Sequence, residues 1–429
     1  MFVLRDSLRA LGLALGCVVV LAACQEDVTG GAACPSLCPD QNVELKDTVL
    51  FPVTLDSTLT GFPPLGTEGE LLIARRGDSL VTAGVMRYDT LPTIFPRPVG
   101  DTTTRRVVGV DSAFLFLTLS ATTQLAKAPV TFEVYDVDSP GSPEPDTAAV
   151  RQLIRPDRLL ATRTVRQDSL TGSVNIRLPP AFVLDRILNG RRTRFAVTVT
   201  SDSSTEVRLV QGEAGVSGPQ LVYLARSDRD TPQMRDTVRI GSFEFSGSTV
   251  PDLEDYTLVL RGAPPPPPQA LAVGGLPARR TYMRFAIPTA ILDSTTIVRA
   301  ALFFTQFPNR GVLGSADTIN ITPRIVIATN LVDPGRSALL ANDPFAFGAV
   351  IDPIRAAPMD SGQRRLDIPS LLRIWRNVDE TVNQHSIVLV SDEEATSPAQ
   401  VRFFSTEAAA ELRPRLRITY IPRVGLGLP

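Results

Sequence analysis

Phe195-Ala196-Val197-Thr198-Val199-Thr200-Ser201-Asp202 is the stretch on which the fold turns. Phe195, Val197 and Val199 alternate with Ala196, Thr198 and Thr200. A period of two sends one set of side chains into a core and the other toward solvent, the pattern of a half-buried β-strand. Val130, Phe132 and Val134 alternate in the same way with Thr131, Glu133 and Tyr135, as do Leu416, Ile418 and Tyr420 with Arg415, Arg417 and Thr419. Ile387 to Val390 is apolar on both faces, as expected of a central strand. Turn-rich stretches such as Asp138-Ser139-Pro140-Gly141-Ser142-Pro143 separate the strands, and 36 prolines exclude long helices. Many short strands between such turns predict an all-β, antiparallel β-sandwich chain, jelly-roll-like in type.

The chain also repeats itself with a period near 190 residues. Asp47-Thr48-Val49 recurs as Asp236-Thr237-Val238, and Leu71 to Gly77 is echoed by Thr257 to Gly262. Val85-Met86-Arg87-Tyr88 parallels Tyr282-Met283-Arg284-Phe285, and Ala113-Phe114-Leu115-Phe116 parallels Ala300-Ala301-Leu302-Phe303. The opening stretch, Phe195 to Asp202, matches Ile387 to Asp392. Val207-Arg208-Leu209 then matches Val401-Arg402-Phe403, and Pro219-Gln220-Leu221 matches Pro414-Arg415-Leu416. Seven echoes in one order, at offsets between 186 and 197, predict two tandem domains related by duplication, 47–224 and 236–421. Between them 225–235, polar and containing Pro232, reads as a linker, and 422–429 is a tail. One short helix is expected in each unit. Pro369 opens one that carries Leu371, Leu372 and Trp375 on a single face, and Asn189-Gly190 closes the other after Val183, Leu184, Ile187 and Leu188.

Arg5 and Arg9 precede an apolar run from Ala10 to Ala23, too short to span a bilayer stably. The run ends in Leu21-Ala22-Ala23-Cys24, which resembles the lipobox of bacterial lipoproteins. That resemblance implies a signal peptide over 1–23, cleavage between Ala23 and Cys24, and lipidation of Cys24 with several acyl chains such as palmitate. Multiple chains are what stable anchoring to a lipid bilayer requires. Gln25 stands where an Asp would, in enterobacteria, retain the protein at the inner membrane, so an outer-membrane location in the cell envelope is expected. Residues 24–46 read as a tether. Within it Cys34 and Cys38, spaced C-x3-C, are expected to pair as a small-loop disulfide, with free thiols as the alternative.

The second unit resembles the DNRLRE domain family, carbohydrate-binding-module-like jelly rolls of exported microbial proteins. The resemblance is carried by Arg280-Thr281-Tyr282-Met283-Arg284-Phe285, Ile297 to Phe304, Leu366 to Trp375, Phe403 to Glu407 and Pro414 to Tyr420. The first unit keeps Met86-Arg87-Tyr88 and Pro219 to Tyr223 but has no tryptophan near Leu184, so it is divergent. The resemblance implies a fold and a surface-associated setting, and carries no catalytic residues.

Basic and acidic totals of 43 and 45 nearly cancel, which gives no electrostatic footprint for nucleic acid. Trp375, the only tryptophan, could stack on a sugar but by its spacing belongs to a core. His385, the only histidine, cannot build a histidine-based triad alone, and a zinc site needs four ligands. Acidic groups stand at Asp136-Val137-Asp138, Asp252-Leu253-Glu254-Asp255 and Asp392-Glu393-Glu394. Their turn positions suit solvation first, a structural calcium ion second and catalysis least. Pro264 to Pro268 reads as a stiff exposed loop. The expectation is a non-catalytic surface protein for structure or adhesion with no cofactor, and polysaccharide as an optional partner. The alternative is a polysaccharide-acting hydrolase or lyase with an accessory sandwich.

Overall fold

The computed structural model describes residues 45–50, 53–63, 65–95, 104–121, 125–138, 147–212, 218–228, 235–242, 254–262, 264–310, 314, 317–326, 341–342, 351–377 and 385–422. The leader, the tether with its three cysteines and most of the 225–235 segment lie outside these residues. Leu45 to Pro429 forms one compact unit, and its described part is antiparallel β-structure throughout. The first strands are β1 (Lys46–Leu50), β2 (Val53–Phe62), β3 (Leu71–Arg76), β4 (Ser79–Tyr88), β5 (Val107–Thr118) and β6 (Val130–Asp136). After α1 (Thr147–Leu153) come β7 (Leu159–Val165), β8 (Ser173–Leu178), α2 (Pro180–Leu188), β9 (Thr193–Thr200), β10 (Thr205–Leu209) and β11 (Gln220–Ser227). The chain continues through β12 (Arg235–Gly241), β13 (Asp255–Val259), β14 (Ala270–Gly274), β15 (Ala278–Phe285), α3 (Thr289–Asp293) and β16 (Thr295–Phe307). It closes with β17 (Ile319–Val326), β18 (Ala341–Asn342), β19 (Ile354–Ala356), β20 (Gly362–Asp367), α4 (Pro369–Asn377), β21 (Ser386–Ser391), β22 (Gln400–Phe404) and β23 (Arg415–Pro422).

Two sheets, β10-β3-β4-β9-β6-β7 and β12-β11-β5-β8, share the first core. Ile73, Met86, Phe132 and Val197 come from one sheet, Leu115, Ile176 and Leu221 from the other, all fully buried. Burying each such side chain contributes about 1.5–3 kcal/mol. The second core is built by the matching strands β22-β14-β15-β21-β17 and β1-β23-β16-β20, with Val273, Met283, Leu302, Leu366 and Leu416 at its centre. There the two layers join, because Gln306 and Phe307 of β16 pair with Phe403 and Arg402 of β22.

The ladders repeat in detail. Leu115 lies between Leu221 and Ile176, and Leu302 between Leu416 and Leu366. Met86 faces Phe195 as Met283 faces Ile387, and Val207 faces Ile73 as Val401 faces Val273. One expected echo fails. Thr257 to Gly262 does not take the place of β3; that place, beside β22, belongs to β14. Thr257 instead faces Gly84 on the open side of β4, as Thr58 faces Thr281 on β15.

The boundaries read from sequence are crossed by the strands. β1 and β2, assigned by sequence to the first unit, pair with β23 and β15 of the second core. β12 and β13, assigned to the second unit, pair with β11 and β4 of the first. The expected linker at 225–235 is partly strand, since β11 runs on to Ser227. The reason is physical. A short β11–β12 connection makes a hairpin the nearest pairing available to β12, whatever the repeat pattern suggests.

α2 and α4 are the two expected helices, with Val183 and Ile187 buried in one and Leu371, Leu372 and Trp375 in the other. Leu188, at the end of α2, is exposed, and Gly190 takes the left-handed conformation that ends the helix. The short helices α1 and α3 were not expected.

Candidate functional site: the cleft between the two cores

A cleft of about 490 Å³ opens between the outer face of β10 and the loops that flank β17 and β21. Glu70 and Arg208 line it from the first core, Asp317, Glu393, Thr396 and Ser397 from the second. Alternation along β10 creates this arrangement. Val207 and Leu209 enter the first core, so Glu206 and Arg208 must point the other way. In an isolated sandwich they would face water, but here the second core covers them and both are buried.

Arg208 is the hub. Its Nε donates to the Thr396 carbonyl at 2.8 Å, and its guanidinium stands 3.5 Å from Glu206 and 4.0 Å from Asp317. Burial, reinforced by the charge of Asp317 and opposed by Arg208, pushes the Glu206 carboxyl up to about 7. Glu206 does not line the cleft itself. Glu393 is held by the Asn320 backbone N–H and side-chain amide, both at 3.0 Å, and Glu70 accepts a short hydrogen bond from the Ser120 hydroxyl. A smaller, mostly apolar cleft of about 230 Å³ lies beside the first, where Phe62, Pro63 and Leu65 pass Leu258, Leu276 and Pro277.

The residues singled out in the sequence do not converge on one place. Cys24, Cys34 and Cys38, with the cleavage point at Ala23, lie outside the described residues. Trp375 is 1% exposed and packs on Phe285 at 5.6 Å and His385 at 5.4 Å between ring centroids. His385 is itself buried and takes the left-handed φ of 49° where the chain enters β21.

Carboxylates from all three acidic groups are occupied within the fold, while Asp392 is exposed and Asp252 lies outside the described residues. Asp136 accepts from Arg186 at 2.7 Å and Arg158 at 3.1 Å, and Asp138 from Arg192 at 2.7 Å. Asp255 takes the Gly212 N–H at 2.6 Å and the Ser242 hydroxyl at 3.3 Å. Glu394 forms a two-pronged pair with Arg280, whose guanidinium stacks 4.2 Å from the Phe62 ring. Among the described residues no group of three or more His, Cys, Asp or Glu side chains could hold a metal ion. None of the described helices is long and apolar enough to cross a membrane. The Pro264–Pro268 run is an exposed connection between β13 and β14.

Sequence reasoning missed Glu206, Arg208 and Asp317. Thr205-Glu206-Val207-Arg208-Leu209 reads as an ordinary strand with a solvated charged face, and only the packing of the second core buries it.

No protein-family model matches the chain, and no curated protein matches it. Among solved structures, the Macrobrachium rosenbergii nodavirus is 11% identical, with 93% of this chain and 98% of that one covered at a TM-score of 0.16. The CBM22-1-CBM22-2 tandem domain of Paenibacillus barcinonensis Xyn10C is 8% identical, with 83% and 98% covered at a TM-score of 0.14. Both scores are too low to bear on fold or function.

Proposed function

We propose that the protein is an exported lipoprotein, anchored in the outer membrane through acylated Cys24, whose two duplicated sandwiches form a non-catalytic surface module for structure or adhesion. The observation that carries this reading is the fate of the acidic groups. Asp136, Asp138, Asp255, Glu393 and Glu394 are tied to arginines, amides and hydroxyls that hold loops and layers together. Carboxylates so engaged act as struts. The matching ladders around Leu115 and Leu302 support duplication, and the DNRLRE-like motifs lie on the strands of the second core.

The lipid anchor is tested by Cys24→Ala, which should release the protein into the soluble exported fraction. A variant that stays membrane-bound, or a wild type that takes up no labelled fatty acid, refutes it. The binding role is tested with a glycan array probed by lipid-free protein, with and without calcium. Binding to a defined polysaccharide class makes the module an adhesin, and silence leaves a structural role.

One observation favours the enzymatic alternative, a hydrolase or lyase acting on polysaccharide. A carboxyl pushed up to about 7 is what a general acid needs, and Glu206, though not in the cleft lining, stands 3.5 Å from the cleft-lining Arg208. Glycan cleavage by the wild type that is abolished in Glu206→Gln would replace the structural reading with that one.

A further inference from the structure

The crossing strands are not equally secured. β12 and β13 are fixed at both ends, by the hairpin to β11 and by the proline run leading to β14. Five prolines in extended form span roughly 15 Å, a stiff link that holds its two ends apart. Among the described residues, the covalent connection of β1 and β2 to the rest of the fold runs through residues 63–70. All their ladder partners belong to the second core: Lys46–Leu50 on β23 and Val53–Phe62 on β15.

Their side chains fit that position specifically. Leu50 and Val53 pack on the second core, and Leu59 joins Tyr282, Val326, Val388 and Val390 on the outer face. Asp56 accepts the Thr406 N–H at 2.7 Å, and Thr58 accepts the Ala272 N–H at 3.1 Å while its hydroxyl meets that of Thr281 at 3.3 Å. Asp47 takes the Arg417 guanidinium and the Thr419 hydroxyl. None of these contacts depends on which chain supplies the strands. Strand addition to such an edge draws affinity from main-chain hydrogen bonds and specificity from alternate side chains.

We propose that the edges of β15 and β23 form a strand-acceptor site that takes residues 46–62 from a second copy of this chain as well as from its own. Donor and acceptor are different surfaces, so copies joined in this way form either a reciprocal pair or a head-to-tail chain. The covalent link through 63–70 gives a chain's own strands an effective concentration of about millimolar order, which keeps dilute protein monomeric. Crowding of copies, or a connection too short to close, shifts the balance toward linked copies.

The experiment uses the full chain with a protease site inserted between Gly66 and Thr67. After cleavage the N-terminal fragment should remain bound through gel filtration. Excess labelled Leu45–Pro63 peptide should replace it at one per chain, and a peptide carrying Asp56→Ala and Thr58→Ala should bind at least tenfold more weakly. A fragment that falls away leaving the second core intact, or a peptide that never enters, overturns the proposal. Deleting Gly66 and Thr67 from the uncut chain should convert monomers to dimers or larger species by light scattering, and a stable monomer overturns it. Should the shortened chain fail to fold, residues 45–63 fused to a carrier protein replace it as donor to the cleaved chain. A one-to-one complex supports the acceptor site and no complex refutes it.

Discussion

Asp47 and Arg417 stand 370 positions apart in the chain, and the Arg417 Nε donates to the Asp47 carboxylate at 2.9 Å. The pair fastens the first described strand to the last. Arg417 holds the Asp47 carboxyl below the usual carboxylate range, but both side chains are well exposed. An exposed ion pair adds little stability. Asp47→Ala should therefore leave the melting temperature nearly unchanged in a thermal scan. Truncating the neighbouring core residue, Ile418→Ala, should cost about 2–5 kcal/mol through lost burial and a cavity. Equal effects of the two would mean that β1 is held by charge and not by its ladder.

Glu206 predicts the pH dependence. Its folded carboxyl titrates near 7, above the 4.5 usual for a glutamate, so the folded state prefers it protonated. The fold then bears no penalty below pH 4.5, loses stability as pH rises between 4.5 and 7, and carries the full cost above 7. Glu206→Gln should gain roughly 1–3 kcal/mol on the wild type between pH 5 and pH 8 in urea melts. A constant difference across that range would show that Glu206 is charged throughout.

Asp136 joins two arginines in a buried network, with Arg186 and Asp136 each 9% exposed at the side chain. Removing Asp136 takes away the close partner of the buried Arg186 and leaves it only the more distant Asp138 carboxylate, at 3.8 Å. Asp136→Ala should cost about 3–5 kcal/mol. Because Arg158, Arg186 and Arg192 already occupy the Asp136 and Asp138 carboxylates, chelation of divalent cations should leave the wild-type melting temperature unchanged. A drop of several degrees would identify a metal in the fold.

Trp375 is the only tryptophan, so its fluorescence reports the second core alone. Emission should be blue-shifted in the native protein and move to the red in step with loss of the second core. Trp375→Ala should cost about 3–5 kcal/mol, and Trp375→Phe much less, as expected for a core ring packed on Phe285. A Trp375→Ala variant of wild-type stability with altered glycan binding would return this residue to the role of a sugar platform.

Alternation along Leu416–Tyr420 determined the β class, because a period of two has one physical outcome when one face is buried. Phe195–Thr200 is also a strand, but Ala196 and Thr198, expected toward solvent, are buried as fully as Phe195 and Val197. The echoes of Met86 in Met283 and of Leu115 in Leu302 fall on strands with corresponding ladder neighbours, Phe195 and Ile387 for the first pair, Leu221 and Leu416 for the second. The core role of Trp375 was legible from helical spacing for the same reason.

Partnership between distant segments was decided only by tertiary structure. Asp47-Thr48-Val49 and Asp236-Thr237-Val238 look alike, and nothing local says which core each strand completes; the connections decide. Arg208 and Arg402 likewise hold matching ladder positions, yet Arg208 is 6% exposed against the second core while Arg402 remains half-buried. Sequence fixes which way a side chain points from its strand. What stands on the other side, water or a second sandwich, is set by packing between segments that the local pattern does not encode.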